Sequence, residues 1–351
     1  MGETVDNTVL TRSGIARRET PVGPDGPDVP VELYYEDLGD PAAPPALLIM
    51  GLGAQLPMWP DGFCEQLVDA GYRVIRFDNR DAGLSAKMHG RRARGTVYRR
   101  VGRYLLGRPS AVPYTLIDMA KDAVALLDHL GIGRTHVVGA SLGGMIAQIL
   151  AGTEPDRVAS LGIIMSTTGK PFPALPTWRV IKLAFEAPAK DASAEEKLDF
   201  EVRNIALFNG PNFLPSQTEL RRRVQHLADR CNYPQGMLRQ FDAMLGTGSL
   251  LGYSKVITAP TVVLHGSADP MVRPRNGRAV AAAIPGARFV VIDGMGHDLP
   301  RPVWRPIIET LTENFALSAS RLARSQELGL DSADLADCLN EFYQTPRGGQ
   351  A

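Results

Sequence analysis

Apolar residues come in short blocks of strand and helix length from position 31 onward. VELYYEDL (31–38), PALLIM (45–50) and YRVIRF (72–77) are the apolar runs that predict strands. Between the last two, DGFCEQLVDAG (61–71) carries its apolar residues at helical spacing. The first part of the chain is therefore predicted to run strand, strand, helix, strand.

The same alternation continues as far as position 165. The pattern predicts a helix over 114–132, a strand over 135–139, a helix over 142–152 and a strand over 158–165. Apolar strands that alternate with helices are typical of a mostly parallel sheet with helices on both faces. The sequence therefore predicts an α/β fold.

The alternation breaks between about 170 and 251, where the segments are helix-like and none is a convincing strand. It resumes with a strand in APTVVLHG (259–266), a helix near 275–283, a strand in ARFVVID (287–293) and a helix over about 301–316. A helical insertion that lies over a sheet would form a cap. We therefore expect a helical cap inserted after the sixth strand.

Four segments follow from this pattern. They are the first part of the core (1–166), the helical cap (167–251), the second part of the core (252–317) and a C-terminal tail (318–351). In the tail, Leu335, Leu339 and Phe342 at helical spacing predict a short helix that packs on its own body or on a partner subunit.

Composition and charge narrow the class of protein. The 351 residues are 44% hydrophobic, with 38 basic and 38 acidic side chains, so nothing in the net charge points to nucleic acid. The three cysteines are widely spaced, which argues against disulfides and a zinc site. No signal peptide or membrane span is visible, so we expect a cytoplasmic protein, a monomer or homodimer, without metal or cofactor.

The segment THVVGASLGGMIAQ places Ser141 where a predicted strand meets a predicted helix. Such a turn holds the serine in a strained backbone conformation and exposes its hydroxyl, and small residues such as Gly139 and Gly143 avoid a collision across it. The N–H of Leu142, at the helix start, would point toward a nearby oxyanion. The alternative is that Ser141 is only a helix N-cap.

A nucleophilic hydroxyl needs a base, and the base needs an orienting group. Among six histidines, His297 in VVIDGMGHDLP lies on a glycine-flanked loop after a late strand, whereas His265 and His136 flank strand runs and are expected to be structural. Asp269 in TVVLHGSADPMVRP follows the preceding strand and is the candidate acid. A surface-loop histidine and an Asp-Pro turn are the alternatives.

The loop MGLGAQLPMW after the strand 45–50 is the candidate source of a second oxyanion donor, the N–H of Leu52. A purely structural glycine loop is the alternative. Gln55 and Trp59 are candidates for the substrate pocket, although Trp59 fits an ordinary core position equally well. From the cap, Trp178 and Phe241 are further pocket candidates.

Seven arginines between Arg91 and Arg108 alternate with apolar residues, and no acidic residue occurs between Asp81 and Asp118. Such a basic amphipathic segment could contact an anionic lipid surface or an acidic acyl carrier. The alternative is a solvated helix whose arginines pair with acidic residues elsewhere in the chain.

Together, MGLGAQ, FDNRDAGLS, GASLGG, GSADPMV and GMGHDLP resemble, in this order, the motifs of the α/β-hydrolase family. The resemblance spans roughly 31–315 and is closest to small bacterial serine esterases of the aclacinomycin-methylesterase type. One departure is Met50-Gly51, where many relatives carry His-Gly. In FDNRDAGLS, Asp78 and Arg80 are expected to be structural.

The resemblance implies that Ser141, Asp269 and His297 form a nucleophile, acid and base triad. A serine at the nucleophile position disfavours dehalogenase and epoxide-hydrolase chemistry, which uses an aspartate there. The expected activity is hydrolysis of small to medium carboxylic esters with an apolar acyl or alkyl group. A thioesterase or acyltransferase would use the same triad, and a binding protein without turnover is the alternative from another class.

Overall fold

The computed structural model describes residues 9–18, 30–170, 176–183, 186, 188–189 and 191–328. Leu335, Leu339 and Phe342, on which the prediction of a tail helix depends, lie outside the described residues. Cys64 and Cys231 are both free thiols, as expected, and Cys338 also lies outside the described residues.

Eight strands form one sheet. They are β1 (Thr11–Arg18), β2 (Val31–Leu38), β3 (Pro45–Ile49), β4 (Arg73–Phe77), β5 (Thr135–Ala140), β6 (Val158–Ile164), β7 (Thr261–Gly266) and β8 (Arg288–Ile292). Their order is β1-β2-β4-β3-β5-β6-β7-β8. Strand β2 is antiparallel to β1 and β4, and all other pairs are parallel. The predicted strands and the mostly parallel sheet are confirmed.

Strand β1 was not expected, because TRSGIARR carries three arginines. It pairs with β2 along its whole length, from Thr11 opposite Leu38 to Arg18 opposite Val31. The guanidinium group of Arg18 is buried and lies 2.9 Å from Asp122 Oδ1. A buried ion pair therefore replaces the apolar residue that a strand prediction looks for.

Eleven α-helices lie in the described part of the chain. Six of them are α1 (Asp61–Asp69), α2 (Val97–Leu105), α3 (Leu116–His129), α4 (Leu142–Thr153), α10 (Pro274–Ala283) and α11 (Trp304–Leu328). The expected end of the last helix near Ala316 is wrong, because α11 continues to Leu328 and crosses the predicted boundary at 317 without a break.

The sheet separates two hydrophobic cores. Leu47 and Ile49 of β3 face a core shared with α3, α4 and α10, whereas Ala46 and Leu48 face a core shared with α1 and α11. Helices therefore cover both faces of the sheet, as the sequence predicts. The carboxyl ends of the parallel strands are left to carry the loops that hold the candidate site.

The remaining five helices lie between β6 and β7, and we call them the insertion. They are α5 (Trp178–Leu183), α6 (Ala194–Ala206), α7 (Gln217–Arg230), α8 (Pro234–Thr247) and α9 (Leu251–Ser254). The described residues of this segment contain no strand, as expected. No helix in the described part of the chain has both the length and the apolar character needed to cross a bilayer.

Candidate active site

Ser141 lies between the end of β5 and the start of α4, in the predicted strand-to-helix turn. Its backbone angles, φ 54° and ψ −118°, belong to a region that residues other than glycine rarely adopt, so the expected strain is confirmed. Hydrogen bonds to β6 and the residues after it hold the turn: Ser141 N donates to Ile164 O at 2.9 Å, and Ser166 Oγ donates to Ser141 O at 2.6 Å.

The glycines around Ser141 permit close packing, although only one acts across the turn. A Cβ on Gly139 would collide with the backbone of Gly143. A Cβ on Gly143 would instead collide with the carbonyl oxygen of Ile49, at the end of the neighbouring strand β3. Gly143 therefore allows the nucleophile helix to approach the loop that follows β3, which proximity along the chain does not reveal.

Asp269 and His297 meet Ser141 although they come from different loops. His297 Nε2 lies 2.9 Å from Ser141 Oγ, and His297 Nδ1 lies 2.8 Å from Asp269 Oδ2. Asp269 is fully buried, and its other oxygen, Oδ1, accepts hydrogen bonds from the N–H groups of Met271 and Val272. The three side chains form one hydrogen-bonded chain through which the serine proton can pass to the imidazole.

Electrostatics keep Asp269 ionised. Burial alone would raise the pKa of Asp269, but the adjacent His297 and His265 outweigh burial and lower it to about 2. An ionised Asp269 accepts a hydrogen bond from His297 Nδ1–H, so the imidazole proton stays on Nδ1 and Nε2 is able to accept the serine proton.

His265 also belongs to the site, although its position in the sequence indicated only a structural role. It is fully buried, lies 3.3 Å from Asp269 Oδ2, and its Nε2 donates to the carbonyl oxygen of Val272 at 2.6 Å. The only signal in the sequence was its separation of four residues from Asp269, which is too common to be informative.

The insertion contacts the loop of His297 through backbone atoms. His297 N donates to the carbonyl oxygen of Phe208, which follows α6, at 2.7 Å, and the Phe208 ring packs edge-on against the imidazole. Side chains on Gly296 or Gly210 would collide with the backbone of the opposite segment. The position of the imidazole thus depends on the insertion as well as on the sheet.

The loop after β3 lies directly beside the serine. A Cβ on Gly51 would come within 3.1 Å of Ser141 Cβ, and Asn79 Nδ2 holds the carbonyl oxygen of Met50 at 2.9 Å. Within the described residues, the N–H groups of Leu52 and Leu142 make no hydrogen bond. Both candidate donors are therefore free to bind an oxyanion.

The four candidate pocket residues lie in different environments. Trp59 is completely buried in the core and stacks on Phe63 with ring centroids 5.6 Å apart, so it occupies the alternative core position. Trp178 is 74% exposed on α5, which does not fit an enclosed pocket wall. Gln55 donates to the carbonyl oxygens of Leu227 and Cys231 and so holds the end of α7. Phe241 is half-buried on α8.

The polar loop after β4 braces the site. Buried Asp78 accepts hydrogen bonds from Leu56 N and Leu84 N, and buried Arg80 pairs with Asp122, so the structural roles expected for Asp78 and Arg80 are confirmed.

The described residues hold no cluster of three histidine, cysteine or acidic side chains that could bind a metal ion.

The arginine-rich segment is partly structural. Arg100 on α2 is buried and forms an ion pair with Asp242 of α8, with 2.7 Å between Nε and Oδ1. The alternative of pairing with acidic residues elsewhere therefore holds for this arginine. In contrast, Arg99 and Arg108 are exposed beside Tyr98 and Leu106, which are 72% and 73% exposed.

Comparisons with known proteins agree with the fold. Residues 44–300 match the sequence model of the alpha/beta hydrolase fold. The chain is 31% identical over 298 residues to the rhodomycin D methylesterase DnrP of Streptomyces peucetius, an alignment that covers 79% of this chain and 92% of the relative.

Two solved structures are similar in fold. One is a thermophilic esterase from Thermogutta terrifontis, with TM-score 0.63 and 23% identity over 86% of this chain and 99% of that one. The other is a 2-hydroxy-6-oxo-6-phenylhexa-2,4-dienoate hydrolase from Rhodococcus, with TM-score 0.64 and 21% identity over 88% of this chain and 100% of that one.

Proposed function

The chain belongs to the α/β-hydrolase family, and we propose that it is a serine carboxylesterase that cleaves esters through an acyl-enzyme on Ser141. The observation that carries the proposal is the hydrogen-bonded chain from Ser141 Oγ through His297 to Asp269, with distances of 2.9 and 2.8 Å. Its relatives at 31% identity are methylesterases, which supports the same reaction class.

In the proposed acylation step, Ser141 Oγ attacks the carbonyl carbon of the ester while His297 Nε2 takes the serine proton. The resulting imidazolium is stabilised by ionised Asp269. The tetrahedral intermediate then collapses, and His297 returns the proton to the departing alcohol. Deacylation repeats these steps with water as the nucleophile and releases the carboxylic acid and free Ser141.

The negative charge that develops on the carbonyl oxygen would be stabilised by the N–H groups of Leu52 and Leu142. Both donors belong to the backbone, Leu142 at the start of α4 and Leu52 in the loop after β3, so no side chain has to move to bring them to the oxyanion. Each such donor contributes about 3 kcal/mol to lowering the barrier. A backbone donor also explains why Met50 can replace the histidine that many relatives carry before the glycine.

The proposed substrates are carboxylic esters of small to medium size with an apolar acyl or alkyl group. The relatives at 31% identity are named as methylesterases of rhodomycin D, which favours esters of a small alcohol. We also propose that residues 167–251 form a cap over the site, since the backbone of the insertion contacts the loop of His297.

A thioesterase or acyltransferase would use the same three side chains, and a binding protein could retain them without turnover. Two matched substrate series separate these functions: p-nitrophenyl esters and CoA thioesters of the same acyl chains, each with and without an acceptor alcohol. We expect ester hydrolysis with the higher kcat/KM and no activity in Ser141→Ala. Faster thioester cleavage, acyl transfer or ligand binding without turnover would each contradict the esterase proposal.

The segment 91–108, which contains α2, is the proposed site of contact with an anionic lipid surface. The exposed arginines are Arg92, Arg94, Arg99 and Arg108. They lie in a segment without acidic residues that also exposes Tyr98, Leu105 and Leu106, a combination suited to the interface of a bilayer. The apolar side chains favour lipid over an acyl carrier.

The monomeric or homodimeric state and the cytoplasmic location stay predictions.

A further inference from the structure

Gln240 of α8 joins the insertion to the loop that carries the candidate donor Leu52. The side chain is completely buried. Its Oε1 accepts a hydrogen bond from Gly53 N at 2.7 Å, and its Nε2 donates to the carbonyl oxygen of Arg80 at 2.7 Å. One amide group therefore connects the loops that follow the adjacent strands β3 and β4, with both of its polar atoms satisfied.

The same face of α8 packs closely against both loops. Gly53 has φ +66°, and a Cβ there would come within 2.8 Å of Met237 Cγ. A Cβ on Gly236 would collide with the carbonyl oxygen of Asp81, and Arg239 forms a buried ion pair with Asp81 at 2.8 Å. Because α8 is docked so tightly, the amide of Gln240 has little freedom to move away from Gly53.

The hydrogen bond to Gly53 fixes one end of the short segment that contains Leu52. At the other end, Asn79 Nδ2 holds the carbonyl oxygen of Met50, and Ala54 N donates to Gly51 O within the turn. Among the described residues, neither the N–H of Gly51 nor that of Leu52 makes a hydrogen bond. The N–H of Leu52 lies between these anchors. Its direction is therefore set by its neighbours.

We propose that Gln240 is a positioning residue that holds the Leu52 N–H toward the oxyanion, an inference that rests on the proposed serine esterase activity. Without the side-chain amide, the N–H of half-buried Gly53 loses its protein acceptor, and the segment from Met50 to Ala54 relaxes to satisfy it. The Leu52 N–H then points away from the developing charge. The ground state of the substrate is little affected, because the oxyanion exists only after attack.

The test compares Gln240→Met, which keeps the volume and removes the acceptor, with Gln240→Glu, which keeps an acceptor for Gly53 N. We expect Gln240→Met to lower kcat roughly 10- to 100-fold with KM changed less than about threefold, since removing a whole oxyanion donor lowers kcat about 10²- to 10³-fold. We expect Gln240→Glu to recover at least half of that loss on a logarithmic scale. Gln240→Asn, too short to reach both loops, serves if Gln240→Met does not fold.

A second readout separates positioning from stability. Ser141 Oγ adds to the carbonyl carbon of a trifluoromethyl ketone, and the serine proton passes to His297. The adduct carries a stable oxyanion, so the affinity of the ketone reports on the oxyanion site directly. We expect its Ki to rise by the factor by which kcat/KM falls. Asn314→Ala in α11, which removes buried hydrogen bonds to the carbonyl oxygens of Leu161 and Pro260 away from the site, is the control and should lower Tm while kcat stays within twofold.

The proposal is overturned if Gln240→Met folds with kcat within threefold of the original enzyme, or if KM rises alone. An unchanged Ki for the trifluoromethyl ketone, or an equal loss of kcat in Asn314→Ala, also overturns it. All of these outcomes are measured on an unmodified protein that hydrolyses esters. If the unmodified protein shows no ester hydrolysis, the proposed function itself fails, and that result is distinct from a failure of the role proposed for Gln240.

Discussion

His297 Nε2 lies 2.9 Å from Ser141 Oγ, although the two residues are 156 positions apart in the chain. The sheet brings them together, because the loops after parallel strands all emerge at its carboxyl edge. Ser141 follows β5 and Asp269 follows β7, while His297 follows β8. The proposed chemistry therefore depends on the order of the strands, not on any local sequence contact.

Asp269→Asn is expected to lower kcat about 10³- to 10⁴-fold with little change in KM. An amide can donate to His297 Nδ1, which favours the tautomer whose Nε2 carries a proton and cannot accept one from Ser141. Steady-state kinetics on a p-nitrophenyl ester measures the change. Asp293→Asn is the matched control, because Asp293 only accepts a hydrogen bond from Ser267, and it should retain at least half the activity. Similar losses in both variants would contradict the role of Asp269.

Gly143→Ala is expected to destabilise the protein by about 3 kcal/mol and to lower ester hydrolysis. The new Cβ would collide with the carbonyl oxygen of Ile49 and push the loop after β3 away from α4. Gly102→Ala on α2 is the control, since a Cβ there meets no atom within 4 Å, and it should raise stability by about 0.5 to 1 kcal/mol. Urea denaturation followed by circular dichroism measures the free energy of unfolding of both variants. Equal changes in the free energy of unfolding of Gly143→Ala and Gly102→Ala would contradict the packing argument.

The stability of the fold is expected to decrease as pH falls from about 6.5 to about 4. Burial lowers the pKa of His136 to about 4, with a smaller contribution from Arg134, whereas the unfolded chain takes up the proton near 6.5. The unfolded state binds more protons in this interval, so the free energy of unfolding falls by up to about 3 kcal/mol and levels off below pH 4.

Urea denaturation at several pH values tests this dependence. His136→Gln should flatten the curve between pH 6.5 and 4, even though it also loses the stacking of the imidazole on Phe315. His226→Gln, at an exposed position of α7, should keep the slope of the original protein. A slope that survives in His136→Gln would assign the effect to other groups.

Contact with anionic lipid is expected to depend on the exposed arginines of the α2 region. The double variant Arg99→Glu/Arg108→Glu should reduce binding to phosphatidylserine vesicles at least tenfold in a sedimentation assay, because each basic residue near the surface contributes about 1 kcal/mol. Lys121→Glu/Arg134→Glu makes the same change in net charge at other exposed positions and should bind as the original protein does. Equal loss in both, or binding of an acyl carrier instead of vesicles, would contradict the lipid proposal.

The sequence was most informative where one physical effect dominates. Val137 and Val138 of β5 are buried on opposite faces of the sheet, so the strand appears as a continuous apolar run. Ser141 was recognisable because it lies between glycines at the point where an apolar run of strand length meets one of helix length. Asp293 accepts a hydrogen bond from Ser267 and Asp298 accepts one from Asn209, so both carboxylates beside His297 stabilise loops.

The sequence was least informative where a polar residue is buried by a distant partner. Arg18 in β1 and Gln240 in α8 look like surface residues until Asp122 and Gly53 are brought beside them by the fold. The exposure of Trp178 was equally hidden, because an aromatic residue in a helical insertion has the same pattern whether it faces a pocket or solvent. Such cases depend on tertiary contacts that no local period encodes.

The proposed acyl-enzyme chemistry makes Ser141 the one hydroxyl that a fluorophosphonate should modify. Ser141 Oγ attacks the phosphorus atom, fluoride leaves, and the serine proton passes to His297. Labelling therefore requires an activated serine and not merely a bound ligand. Ser141→Ala and His297→Ala should both fold, with Tm close to that of the original protein, and neither should hydrolyse esters.

Mass spectrometry of the labelled, digested protein tests the proposed chemistry on Ser141 most directly. We predict a single equivalent of the phosphonyl group on the peptide that contains Ser141, no label in Ser141→Ala, and labelling slowed at least about a thousandfold in His297→Ala. A folded protein that takes up no label, or takes it up equally well in Ser141→Ala, would contradict the account.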